Sequence, residues 1–111
     1  MRVSHELAKL NIMSGAWVYI VECRDGSFYT GLTKQDDPEA RVWEHNARVF
    51  LDSYTSSRLP VVLVYAEHFE LVSDAITAER RIKGWSRAKK TAMMGGNWRQ
   101  VQFLSKRRGG N

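Results

Sequence analysis

Acidic residues stop at Glu79. Beyond it the chain carries ten of its 17 lysines and arginines and no aspartate or glutamate. The part before holds seven bases and all 12 acids, so the two parts carry about −5 and +10 by simple counting and sum to +5. Segregation of this kind suggests a surface that attracts phosphates, with a solvated basic tail as the plainer alternative. Cysteine is nearly absent as well. Cys23 stands alone, which excludes an internal disulfide and a cysteine-based zinc site and fits a reducing compartment. No apolar run approaches the roughly 18 to 20 residues that cross a membrane. The N-terminus also lacks the apolar core of a signal peptide, so the cytoplasm is the expected location. No glycine-rich phosphate loop follows a strand, which counts against a nucleotide-binding fold. The length of 111 residues, 43% of them hydrophobic, suits one domain with one modest core.

What is present is organised around a hairpin. Trp17 to Cys23 is rich in β-branched and aromatic residues, and so is the start of the run from Phe28 to Thr33. Arg24-Asp25-Gly26 between them is tight-turn chemistry. A three-residue loop, with Gly26 in the left-handed region, puts Cys23 opposite Ser27, Val21 opposite Tyr29 and Tyr19 opposite Gly31. Tyr19 and Tyr29 then share a face, beside the open space that Gly31 leaves; a loop one residue longer or shorter separates them.

Residues 1–13 are expected to be a frayed leader, 14–105 the single domain, and 106–111 a disordered basic tail. Asp36-Asp37-Pro38-Glu39 announces a helix from Pro38 to about Phe50. A polar loop from Asp52 to Leu59 leads to Pro60 and the continuous apolar run Val61 to Tyr65, read as the central or best-buried strand. Ser73 is placed as the cap of a second helix, whose Ala75, Ala78, Ile82 and Trp85 form a narrow core-facing stripe. Gly84 ends it. Ser86 caps a short basic helix closed by Gly95-Gly96, and Asn97 caps a last one through Leu104. The order strand, strand, helix, strand, helix, helix predicts an α+β domain, a small three-stranded antiparallel sheet flanked by helices.

Trp17-Val18-Tyr19, ten residues before Tyr29-Thr30-Gly31, resembles the paired tripeptides of the GIY-YIG endonuclease superfamily. The first tripeptide keeps the tyrosine, and Thr30 stands where the second has isoleucine. Arg41 and His45, four residues apart on the first helix, match the third motif. Glu79, on the helix after the third strand, matches the metal-binding glutamate. Gly96-Asn97-Trp98 is similar to a stretch found in small stand-alone members, of the UPF0213 and excinuclease C N-terminal type. The resemblance covers about Ala16 to Trp98.

It implies a metal-dependent DNA endonuclease, directed to DNA structure or damage as in repair. Hydrolysing a phosphodiester needs an activated water, a counter-charge for the phosphate and stabilisation of the departing oxygen. Tyr19 then corresponds to the general base, with Tyr29 and His45 hydrogen-bonding around it and Arg41 offering a planar fork to the phosphate. Glu79 would hold one Mg²⁺ or Mn²⁺, a hard ion that keeps several waters. Gly31, Lys34, Lys83, Arg87, Lys89 and Lys90 are the remaining candidates for substrate contact. Taken without the resemblance, Arg41 and His45 read as solvated helix residues. Glu79 with Lys83 then reads as a surface ion pair worth about 0.3–0.5 kcal/mol.

The expected partner is DNA (branched, nicked or single-stranded), bound through its backbone, and no membrane. A chain this small shows no second module for target selection, which leaves that to low specificity or to a protein partner. The alternative function is a nucleic-acid-binding module of the same fold with weak or no catalysis.

Overall fold

The computed structural model describes residues 15–49 and 53–109; the expected leader and Phe50 lie outside them. Strands β1 (Ala16–Glu22) and β2 (Phe28–Thr33) form the hairpin. Its turn closes with Cys23 N–H donating to Ser27 O and Gly26 N–H to Cys23 O, each at 2.8 Å. Gly26 sits at φ 85°, where a side chain is strained. Asp25 Oδ1 accepts from the Ser27 amide at 3.0 Å and from its hydroxyl at 2.6 Å, fixing the loop locally. Tyr19 therefore pairs with Gly31 and Val21 with Tyr29, the register that the turn chemistry predicts.

Strand β3 (Val62–Phe69) pairs antiparallel with β1 on its other side, giving the order β2-β1-β3. The centre of the sheet is thus β1, and the expectation that the apolar run after Pro60 supplies it is corrected. Val18 and Ile20 are fully buried on one face of β1, with Ala75, Ile82, Met93 and Val101. Tyr19 and Val21 are buried on the other face, with Val42 and Val61. Both faces of β1 are covered, whereas Val62 and Val64 of β3 remain 61% and 36% exposed. Apolar continuity reads the same in a covered and a half-covered strand; the helices decide which one is covered.

Helix α1 (Pro38–Asn46) starts where Asp37 accepts from the Glu39 amide at 2.9 Å. It stops short of the expected Phe50 because Arg48 adopts φ 64° and the amides of Ala47, Arg48 and Val49 turn back onto Trp43, His45 and Glu44. The polar loop that follows contains a 3₁₀ turn, Tyr54–Ser57. Helix α2 (Val72–Lys83) is capped by Leu71, not Ser73, without a side-chain cap bond. Val72 packs on the core and draws the first turn forward. Ser86 caps α3 (Arg87–Met94) through the Lys89 amide. Asn97 caps α4 (Trp98–Gly109), which continues past Leu104 into the stretch expected to be disordered. Arginine and lysine are good helix formers, and no breaker precedes Gly109. The α+β class stands as expected.

Candidate active site

The hairpin register brings the two phenols to the face of the sheet that α1 covers. Tyr19 is 1% exposed, and its hydroxyl lies 3.0 Å from His45 Nε2. The room that Gly31 leaves is taken by this ring: a Cβ there would run into the Tyr19 hydroxyl and ring carbons. The space beside Gly31 therefore holds Tyr19 itself. Tyr29 meets the His45 ring edge-on, centroids 5.7 Å apart.

His45 is 4% exposed, and its second nitrogen, Nδ1, lies 2.8 Å from Thr55 Oγ1. Thr55 Oγ1 in turn lies 2.9 Å from Ser53 Oγ. Tyr19, His45, Thr55 and Ser53 thus form one chain of hydrogen bonds running from the sheet through α1 to the 3₁₀ turn. Burial, and then the charge of Arg41, hold His45 below its ordinary value, with Glu44 opposing. A neutral imidazole has one donor and one acceptor nitrogen. Tyr19 has a hydroxyl to donate, so Nε2 accepts from it and Nδ1–H donates to Thr55.

Burial also raises the Tyr19 phenol above its ordinary value, and Tyr29 adds to this. The Arg41 guanidinium pulls the other way, by charge and by hydrogen bond. Arg41 is itself held: its Nε lies 3.2 Å from Glu44 Oε1, which also accepts from Gln35 Nε2 at 3.1 Å.

Glu79 reaches the cluster through Lys83. The lysine Nζ is 3.0 Å from Glu79 Oε2 and 5.6 Å from the Tyr29 ring centroid. The i,i+4 ion pair expected from spacing is present, and its cation faces a phenol of the site. On its other side Tyr29 stacks on Tyr54 (6.1 Å, 16° between planes), and Arg58 covers Tyr54 at 3.8 Å. The remaining sequence candidates lie farther out. Lys34 is exposed after β2. Arg87 is exposed on α3, while Lys89 and Lys90 are 7% and 8% exposed and do not form the solvated basic face that composition suggests. Burial also pushes the Cys23 thiol up, as befits a small core residue.

Sequence reasoning missed three supporting side chains. Thr55 sits in a run of hydroxyl residues that reads only as loop. Glu44 looks like one more helix-surface acid. Asn46, next to His45, donates from Nδ2 to Val61 O at 3.0 Å and accepts the Val61 amide on Oδ1 at 2.8 Å. It mimics a strand partner and pins the end of α1 to the start of β3. An amide placed where a helix stops was the available signal.

Two phenols, an imidazole and a guanidinium converging on a β-hairpin, with a carboxylate on the next helix but one, define a GIY-YIG-type nuclease domain. The family model described as the GIY-YIG catalytic domain matches residues 15–92, and the chain belongs to that family. It is similar to a UPF0213 protein of Staphylococcus haemolyticus, 46% identical over 82 residues, 74% of this chain and 96% of the relative. A UPF0213 protein of Halobacterium salinarum is 47% identical over 76 residues, 68% of this chain and 95% of the relative. Among solved structures, a Bacillus halodurans UPF0213 protein is 34% identical with TM-score 0.46, covering 73% of this chain and 83% of that one. An E. faecalis protein, EF2693, is 32% identical with TM-score 0.48, covering 80% and 85%. No helix among the described residues is long and apolar enough to cross a membrane.

Proposed function

We propose that this protein is a metal-dependent DNA endonuclease of the cytoplasm, directed to structured or damaged DNA. The observation that carries the reading is the Tyr19 hydroxyl 3.0 Å from His45 Nε2, with the charge of Arg41 acting on the phenol. A water attacking phosphorus gives its proton to Tyr19 Oη as Tyr19 passes its own to His45 Nε2. Thr55 keeps the imidazole in the accepting tautomer. Arg41 lowers the cost of charge on the phenol and neutralises a phosphate oxygen, and Glu44 holds it in place. Tyr29 and Lys83 line the approach, and the leaving oxygen takes its proton from solvent.

Among the described residues no three His, Cys, Asp or Glu side chains gather into a metal-holding group. Glu79 offers one hard carboxylate, a donor set that fits Mg²⁺ or Mn²⁺ retaining most of its waters and does not fit zinc. When bound there, such an ion supplies counter-charge for the crowded phosphate. Glu79 would hold the ion in place of its present Lys83 partner.

One observation favours a second reading, a nucleic-acid-binding module that does not cut: Tyr19 is sealed to 1% exposure and burial raises its phenol. Incubation with MnCl₂ and supercoiled, branched or single-stranded DNA separates the two. The nuclease reading expects nicking that Glu79→Gln and Arg41→Ala abolish. Variants that cut as well as the parent, or a parent that binds and never cuts, overturn it.

A further inference from the structure

A cavity of about 260 Å³ opens where the hairpin turn meets α3, lined by Ser27, Phe28, Trp85, Arg87 and Lys90. Lys90 is 8% exposed, and among the described residues no carboxylate forms an ion pair with it. Its long side chain is enclosed while its ammonium, at the cavity, has no carboxylate partner among those residues, and an enclosed charge without a counter-ion is costly. The surroundings act on Lys90 accordingly: burial and the neighbouring charge of Lys83 both lower its pKa. An arriving anion would relieve both effects.

Arg87 adds the second positive charge. Its guanidinium donates to Gly26 O and lies 4.1 Å from the Phe28 ring centroid, so it is fixed in place with donors left over. The rings serve as walls here, for each already carries a cation on one face, Phe28 from Arg87 and Trp85 from Lys89 at 4.1 Å. The Ser27 hydroxyl is committed to Asp25. What the cavity offers is therefore positive charge and N–H donors, the complement of a phosphate rather than of a nucleobase.

Its position fits the same ligand. Phe28 and Tyr29 face opposite sides of the edge strand β2, and Lys83 comes within 5.6 Å of the Tyr29 ring while its charge is also felt at Lys90, so the two sites are joined round the edge of the sheet. We infer that the Lys90–Arg87 cavity is a second phosphate subsite, which holds a further backbone phosphate of the strand presented to Tyr19 and Arg41 as it passes round the edge strand β2, and so sets its path. The inference rests on the nuclease reading for the identity of the strand, and on the cavity alone for the phosphate.

The test is binding of a short single-stranded oligodeoxynucleotide to the full chain in EDTA, followed by fluorescence anisotropy across a salt series. Lys90→Met, of similar length and neutral, should weaken binding several-fold at low salt. It should also reduce the slope of log K against log salt by roughly 0.7, the share of one phosphate on a single strand. Lys90→Arg should restore the slope. Melting of Lys90→Met should not move down, because methionine keeps the enclosed stem and removes a charge that has no partner among the described residues. Should Lys90→Met fail to fold, Arg87→Gln, on an exposed residue, carries the same prediction. A parent-like slope in the folded variants overturns the subsite, as does a loss of melting temperature with the slope unchanged. The nuclease reading fails separately: a changed slope in a protein that never cuts in MnCl₂ leaves the subsite standing without it.

Discussion

His45 Nδ1 lies 2.8 Å from Thr55 Oγ1, and through this bond the 3₁₀ turn sets which nitrogen of the imidazole faces Tyr19. Thr55→Val keeps the shape and removes the acceptor. Leaving a buried N–H unsatisfied costs about 1–3 kcal/mol, which urea unfolding will show. The freed imidazole can then present N–H to Tyr19, so nicking should fall by more than the loss of folded protein explains. A variant as active as the parent per folded molecule contradicts this role.

The protonation of His45 gives a stability profile with a definite sign. Its folded-state pKa is depressed below the ordinary 6.5, first by burial and then by Arg41. Between the folded value and 6.5 the unfolded chain binds a proton that the folded one does not. The contribution is therefore complete above 6.5 and is lost as pH falls from 6.5 through the folded value. Urea unfolding of the parent and of His45→Gln across this window should diverge, the variant lacking that share of the acid loss. The acid limb of nicking should lie below pH 6.5 for the same reason. Parallel stability profiles contradict the assignment.

Gly31 is small because Tyr19 is large. Gly31→Ala drives a methyl into the phenol and should destabilise the domain by about 1–3 kcal/mol, the usual cost of overpacking. It should lower nicking as well, by displacing the hydroxyl from His45. A stable and fully active Gly31→Ala would show that the ring can move aside freely.

Asn46→Ala removes both bonds to Val61 at once. The Val61 amide and carbonyl lose their partners at the start of an edge strand, a destabilisation of about 1–3 kcal/mol by denaturant unfolding. His45 is the next residue, so a loosened helix end should also reduce nicking. A change confined to stability would limit Asn46 to a structural tie.

The hairpin was readable in the sequence because its information is local. Asp25 and Gly26 define the turn, the turn defines the register, and the register places Tyr19 over Gly31. The i,i+4 spacing on a capped helix put Arg41 and His45 on one face, but only the family resemblance marked them; by spacing alone they read as solvated. The centre of the sheet was not. Val61 to Tyr65 and Trp17 to Val21 are both apolar, and only the packing of Ala75, Ile82 and Met93 on one face and Val42 on the other distinguishes them. Ser73 has cap chemistry, yet Val72 wins the first turn by packing. Thr55, Glu44 and Asn46 act through partners distant in sequence or through an ordinary surface identity, and no periodicity marks them. The basic segment gave the sign of the charge but not its geometry: Lys89 lies over Trp85, and Lys90 is buried in a cavity.

The central claim is that the Tyr19 hydroxyl moves the proton of the attacking water. Tyr19→Phe deletes that oxygen and keeps the ring that fills the space above Gly31. Single-turnover nicking of supercoiled DNA in MnCl₂, with folding checked by urea unfolding, measures the consequence directly. A fall in rate of about 100-fold or more is the result expected for loss of a general base. A folded Tyr19→Phe that nicks at the parent's rate would contradict the account.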